Sequence, residues 1–350
     1  MSNFRLLLVE DDEGDIQVCR DSIAAYKDQT SREINAVECR TIAEAMQKLD
    51  NSYDGAVIDL KLAGQGDEGT QVIKKIVGSN FRIPIAVLTG TPAGVDTTFS
   101  YLGTYKKGEF SYEALFDKFW EIFDTGLTRI MGGRGRIESI MAQVYKDSLF
   151  PYRELWVKHG KRDSSKTEKA MLRYTLNHLM QLLDGDEEKY FPEEVYIHPP
   201  LDDVWRTGSI LNQNGGESKY VVLSPACDLV VRSGGLCKTD HILLVGIEKE
   251  SDVYGAALEG YVKVPAIEKR KEEVRNNAFT SYYHWLPKTD FFPGGFLNFR
   301  RVTTINIGDC KAAFGRPAVQ ISPPFVKDII SRFSSYYARQ GQPEIDPMTL

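Results

Sequence analysis

Apolar residues in the first third of the chain fall into short runs at 5–9, 35–39, 54–58, 84–88 and 101–105. Runs of this kind, closed by polar turns, predict strands buried on both faces. Between them, 14–27, 41–50, 68–77 and 111–124 carry apolar residues at helical spacing, and a short piece near 92–99 is expected to be helical too. Five βα units in succession predict a doubly wound, five-stranded parallel sheet with helices on both faces.

The pattern changes after residue 127. Gly132, Gly133 and Gly135 mark a hinge, and helices are expected over 136–149, 151–159 and 165–183, the last with Met171, Leu172, Leu176, Leu179, Met180 and Leu183 at helical spacing. From about 191 the texture is that of strands: "KYVVLSPACDLVV", "DHILLVGIE", "GYVKVPA", "FLNFRRVTTINI" and "PAVQISPPF", separated by Gly, Pro and Asn. A last helix is expected at 325–339. The expected organisation is a domain over 1–127, a helical linker over 128–190, a β-rich α+β domain over 191–340, built as a small barrel or bent antiparallel sheet, and a tail over 341–350.

Composition adds little to the fold and more to the partners. With 42% hydrophobic and 26% charged residues, the 350-residue chain can bury a core throughout. No apolar stretch approaches the ~20 residues of a membrane helix, so a cytoplasmic location and no membrane partner are the default expectation. Five cysteines at scattered spacings fit reduced thiols. Residues 1–130 hold 14 Lys+Arg against 21 Asp+Glu, leaving 29 against 28 in the remainder. Neither part carries the basic excess of a nonspecific nucleic-acid binder, which disfavours nucleic acid as a partner.

The first strand ends in "LLLVEDDEGD", residues 6–15, four apolar residues running into a cluster of acids. Such a cluster is costly unless a cation relieves it. Ligands of parallel sheets bind outside the carboxyl ends of the strands. Those ends bring Glu10, Asp11 and Asp12 together with Asp59, Thr89 and the pair Lys106 and Lys107. Carboxylates so grouped suit a hard divalent cation held with water and phosphate oxygens. A carboxylate can also accept a phosphoryl group, with a hydroxyl and an ammonium stabilising it.

The stretches "LLLVEDDEGD", "GAVIDLKLAGQGDEGTQVIKKI", "IPIAVLTG" and "YKKGEFSYEALF", in this order, resemble the receiver domain of two-component response regulators across residues 4–125. The resemblance implies a flavodoxin-like fold. It also implies Mg²⁺ bound by Glu10, Asp11, Asp59 and the Lys61 backbone carbonyl, Asp59 as phosphoacceptor, and Thr89 as the switch hydroxyl. Lys107, in Lys-Gly-Glu, stands where the family has Lys-Pro; Lys106 is the alternative. A histidine kinase or phosphotransfer protein would be the donor, and a homodimer is a further expectation. Ala63 departs from the family's proline, the segment between Thr89 and Lys107 is short, and no aromatic lies three residues before Lys107.

The remainder offers weaker chemistry. Cys227, Asp228, Cys237 and His241 are residue types that bind zinc, although the spacing is unlike short CxxC knuckles. Cys227 with His241 or His284 would make a nucleophile and base, and His178 is a candidate phosphotransfer histidine. "SYYHWLPKTDFFPGGF", 281–296, could be a stacking platform, a partner-binding loop or buried core. No helix-turn-helix, Walker loop or Gly-rich nucleotide fingerprint occurs. The expected output is a protein-interaction module, with an enzyme and a nucleic-acid binder as alternatives; whether any part is an enzyme stays open.

Overall fold

The computed structural model describes residues 3–62, 68–79, 81–90, 92, 95–130, 135–183, 189–231 and 237–339. The chain separates into two compact units, Met1–Glu187 and Glu188–Leu350. The expected hinge at Gly132 and Gly133, the departure at Ala63 and the 341–350 tail lie outside the described residues.

The first unit begins with β1 (Asn3–Val9), α1 (Glu13–Thr30), β2 (Glu33–Cys39), α2 (Ile42–Lys48), β3 (Gly55–Asp59) and α3 (Glu68–Gly78). It continues with β4 (Ile85–Thr89), β5 (Gly103–Lys106) and α4 (Tyr112–Asp124). The strands form one sheet in the order β2-β1-β3-β4-β5, with every pairing parallel. This is the flavodoxin-like, doubly wound arrangement. Alternation along β1 splits its side chains between two cores. Phe4, Leu6 and Leu8 pack with Ile16 and Tyr26 of α1 and Phe116 and Phe119 of α4, whereas Leu7 and Val9 pack with Ala45 of α2 and Val72 and Ile73 of α3.

Of the helix expected near 92–99, the described residues show one 3-10 position at Pro92, whose carbonyl accepts from the Val95 N–H at 3.3 Å, and turns rather than α-helix over 96–99. The Asp96 carboxylate accepts from the backbone N–H and hydroxyl of Thr98, 2.9 and 2.7 Å away, a local turn that competes with helical bonding. Phe99 and Tyr101 cover the α2/α3 core without a helix.

Next come α5 (Arg136–Val144), continued by one π-helical turn Tyr145–Leu149, then α6 (Arg153–Gly160) and α7 (Ser164–Leu183). The second unit holds β6 (Tyr196–Ile197), β7 (Ser209–Asn212), β8 (Lys219–Val222), α8 (Ala226–Leu229), β9 (His241–Glu248), α9 (Glu250–Ala257) and α10 (Val264–Arg275). It ends with β10 (Tyr283–Leu286), β11 (Gly295–Asn306), α11 (Ile307–Phe314), β12 (Val319–Ile321) and α12 (Pro323–Ala338). The sheet order is β10-β11-β9-β8-β7-β12-β6, antiparallel throughout. A register shift between Leu297 and Val302 bends β11. The sheet curls until its two edges approach: the Tyr196 hydroxyl on β6 donates to the Pro287 carbonyl just beyond β10, at 2.7 Å, and its ring packs on Phe292.

One strand reading of this half changes. "GYVKVPA" is not a strand; its second half opens α10, with Lys263 at the N-cap and Pro265 in the first turn. Of the readings open for 281–296, the buried core is the one seen: His284, Leu286, Phe292 and Phe296 are buried, and Tyr282 and Phe291 pack against the cluster of Leu286 and Phe292.

Candidate functional site

The carboxyl edge of the parallel sheet gathers the acids of the sequence motif. Glu10 follows β1 and is 1% exposed; Asp59 closes β3 and is 4% exposed. Two buried carboxylates this close need a countercharge. Lys107, just past β5, supplies it: its Nζ lies 2.8 Å from Glu10 Oε2, 2.9 Å from Asp59 Oδ2 and 2.7 Å from Asp15 Oδ2. The Lys106 ammonium turns instead to Glu109 at the surface, so the lysine of the pocket is Lys107. Its amide N–H donates to the Thr89 carbonyl at 3.2 Å, which ties the end of β5 to the end of β4.

Backbone donors set the orientation of the acids. The Lys61 N–H reaches Asp59 Oδ1 at 3.1 Å, and the Asp12 N–H reaches Glu10 Oε1 at 3.2 Å. Asp12 itself caps α1, its Oδ1 accepting from the Asp15 N–H at 3.0 Å. Burial pushes the Glu10 carboxyl above its ordinary value, and the Lys107 ammonium opposes that rise. For Lys107, burial disfavours the charge, yet the bonds from Asp15, Glu10 and Asp59 outweigh it and hold the ammonium above its ordinary range.

Glu10, Asp11 and Asp59 each offer an oxygen, and these atoms lie within 4.8 Å of one another. Two of the acids are buried and Asp11 is exposed, so the group opens to solvent on one side. All-oxygen donors in that disposition fit a hard divalent cation. Thr89, at the end of β4, is 2% exposed on the same edge. Asp15 was not singled out in the sequence. Its signal was its place one turn after the Asp12 cap, where the first turn of α1 faces the strand ends.

The weaker candidates do not converge. Among the described residues, no other group of three or more His, Cys, Asp and Glu brings its ligand atoms so close. Cys227, Asp228, Cys237 and His241 are therefore not assembled. The Cys237 thiol donates to the Leu229 carbonyl at 3.2 Å, Asp228 pairs with Lys238 at 3.3 Å, and the His241 ring turns to Asp240 at 3.1 Å. His284 is buried against α12 rather than beside Cys227. The His178 ring bonds the Tyr174 carbonyl at 2.8 Å and lies against the Tyr174 ring.

Neither a family model nor a curated relative matches the sequence. Solved structures do match part of it. A response regulator receiver protein from Pseudoalteromonas atlantica is similar at 15% identity and a TM-score of 0.28, over 35% of this chain and 98% of that one. A CheY-like receiver domain from Methylobacillus flagellatus is similar at 15% identity and a TM-score of 0.29, over 34% and 99%. The non-phosphorylated HemR receiver domain from Leptospira biflexa is similar at 23% identity and a TM-score of 0.28, over 34% and 93%. The class defined by fold and site is a doubly wound α/β domain with an acidic pocket at its carboxyl edge. The particular solved structures it resembles are receiver domains.

Proposed function

We propose that the first unit is a phosphoacceptor receiver and that the second unit reads its state, as in a response regulator. What supports this is the convergence of Glu10, Asp11, Asp59, Thr89 and Lys107 on one sheet edge, with Lys107 Nζ 2.9 Å from Asp59. In the proposed reaction an Asp59 carboxylate oxygen attacks the phosphorus of a phosphohistidine donor. The P–N bond breaks, the imidazole leaves, and Asp59 carries an acyl phosphate.

Each residue has a task that follows from its place. The Lys61 N–H and the Lys107 ammonium hold Asp59 in one orientation. Lys107 moves from pairing carboxylates to pairing the new phosphoryl charge, and the Thr89 hydroxyl donates to it. Mg²⁺ held by Glu10, Asp11, Asp59 and the Lys61 carbonyl would supply charge neutralisation on the transferring group. The redistribution of charge biases the ends of β4 and β5, the bistable element of the switch.

The test is intact-mass analysis and hydrogen exchange after incubation with Mg²⁺ and acetyl phosphate, or with beryllofluoride as its mimic, on wild type and Asp59→Ala. One phosphoryl adduct, or mimic-dependent protection around β4 and β5, absent from Asp59→Ala, is expected. No adduct and no response to the mimic would leave the domain a constitutive scaffold.

A further inference from the structure

In the second unit a cavity of about 690 Å³ opens between α8, the end of β12 and the first turns of α12. A smaller one of about 210 Å³ adjoins it and reaches Cys237, Ile242 and Cys310. Val204, Trp205, Leu229 and Val231 line both, so the two form one groove with Trp205 at its waist. Its size falls within the ~300–1,000 Å³ typical of small-molecule sites. Gly208, at φ +89°, lets Val326 of α12 close against the strand; a Cβ there would collide with the Val326 side chain.

The polar side chains of the walls are already committed. The Thr207 hydroxyl donates to the Ser224 carbonyl at 2.6 Å, and the Gln320 amide spans Thr207, Ile321 and Ser209. The Trp205 N–H donates to the Gly315 carbonyl at 3.1 Å, and both thiols donate to carbonyls. Arg206 is held by both oxygens of Asp202. Lys327, on an exposed face of α12 at the wide mouth, makes no ion pair or side-chain hydrogen bond among the described residues. The far end carries the exposed Asp203 instead. Val230 and Val231 meanwhile leave 58% and 60% of their surface in water.

We propose that this groove binds a small amphipathic monocarboxylate, its hydrocarbon body along Leu229, Val231 and Trp205 and its carboxylate on Lys327. An apolar body satisfies walls whose described polar side chains, Lys327 and Asp203 aside, are committed elsewhere. Lys327, the one lining cation without a partner among the described residues, fixes the sign of the head group, and Asp203 in the smaller cavity fixes its direction. The second unit thus takes a chemical input of its own, independent of the phosphoacceptor pocket.

The test is calorimetric titration of the full chain with decanoate, below its micelle threshold, and with decyltrimethylammonium. Wild type is compared with Lys327→Glu and Val231→Asp, both at exposed positions, with circular dichroism to check folding. Expected are one decanoate per chain, affinity about tenfold weaker in each variant, and little binding of the cationic analogue. Absence of saturable decanoate binding, affinity unchanged in both folded variants, or equal binding of the cation overturns the proposal. So does a concentration-dependent dimer that Val231→Asp dissociates and decanoate does not, since the groove would then be filled by a second copy.

Discussion

Among the described residues Lys107 is the only ammonium bonded to both Glu10 and Asp59, so its loss leaves these buried carboxylates with backbone N–H donors but no countercharge. Lys107→Met should lower stability by about 2 kcal/mol. Millimolar Mg²⁺ should restore more of the melting temperature in that variant than it adds to wild type. Thermal melts with and without the metal check this; equal shifts would show that the acids hold no cation. Gly69 makes a second residue-scale case. A Cβ there meets the Asp59 carbonyl and lies 2.8 Å from the Leu60 Cα, both backbone atoms that cannot swing aside. Gly69→Ala should therefore push α3 off the end of β3 and cost about 2 kcal/mol, measured by denaturant unfolding, with slower acquisition of any Asp59 adduct. Most of the pocket was legible because strand ends fix where short acidic motifs must meet. Asp15 was not, since its contact with Lys107 depends on how the first turn of α1 is aimed.

At the scale of elements, apolar periodicity found the strands that are buried on both faces and failed where side chains have no face to bury. Val262 and Val264 alternate as a strand would, yet they are 87% and 70% exposed, and Pro265 starts a helix instead. The pairing of β10 with α12 makes a prediction about pH. His284 on β10 is buried beneath α12, with Arg332 beside it and the Asp328 carboxylate 3.7 Å from Nδ1. Burial first, and then Arg332, pull its pKa down to about 3 from an ordinary 6.5. The unfolded chain therefore binds a proton that the folded chain refuses between those values. This contribution to stability is complete above pH 6.5 and is lost as pH falls towards 3, by about 1.4 kcal/mol per unit. His284→Gln should flatten that slope in urea titrations at pH 7, 6 and 5; an unchanged slope would place the acid sensitivity elsewhere.

For the whole molecule, what could not be read was the order of the second sheet. Half of its neighbours are not consecutive in sequence: β12 lies between β7 and β6, and β11 pairs with β9 as well as β10 through a bend. Such pairings follow from long-range packing, which local pattern does not encode. The cores do respect the division of the chain. The clusters around Phe4 and Leu7 draw only on the first unit, and those around Val245, Leu244 and Phe296 only on the second. Phe299, fully buried against Phe333, is central to the largest of the latter. Phe299→Ala should cost about 3 to 5 kcal/mol and speed amide exchange through β7 to β12. Protection in β1 to β5, and any Asp59 adduct formed with acetyl phosphate, should stay at wild-type levels. If exchange rises equally in both sheets, the chain unfolds as one cooperative body, and a phosphoryl group on Asp59 would then act on the second unit through global stability rather than through a local switch.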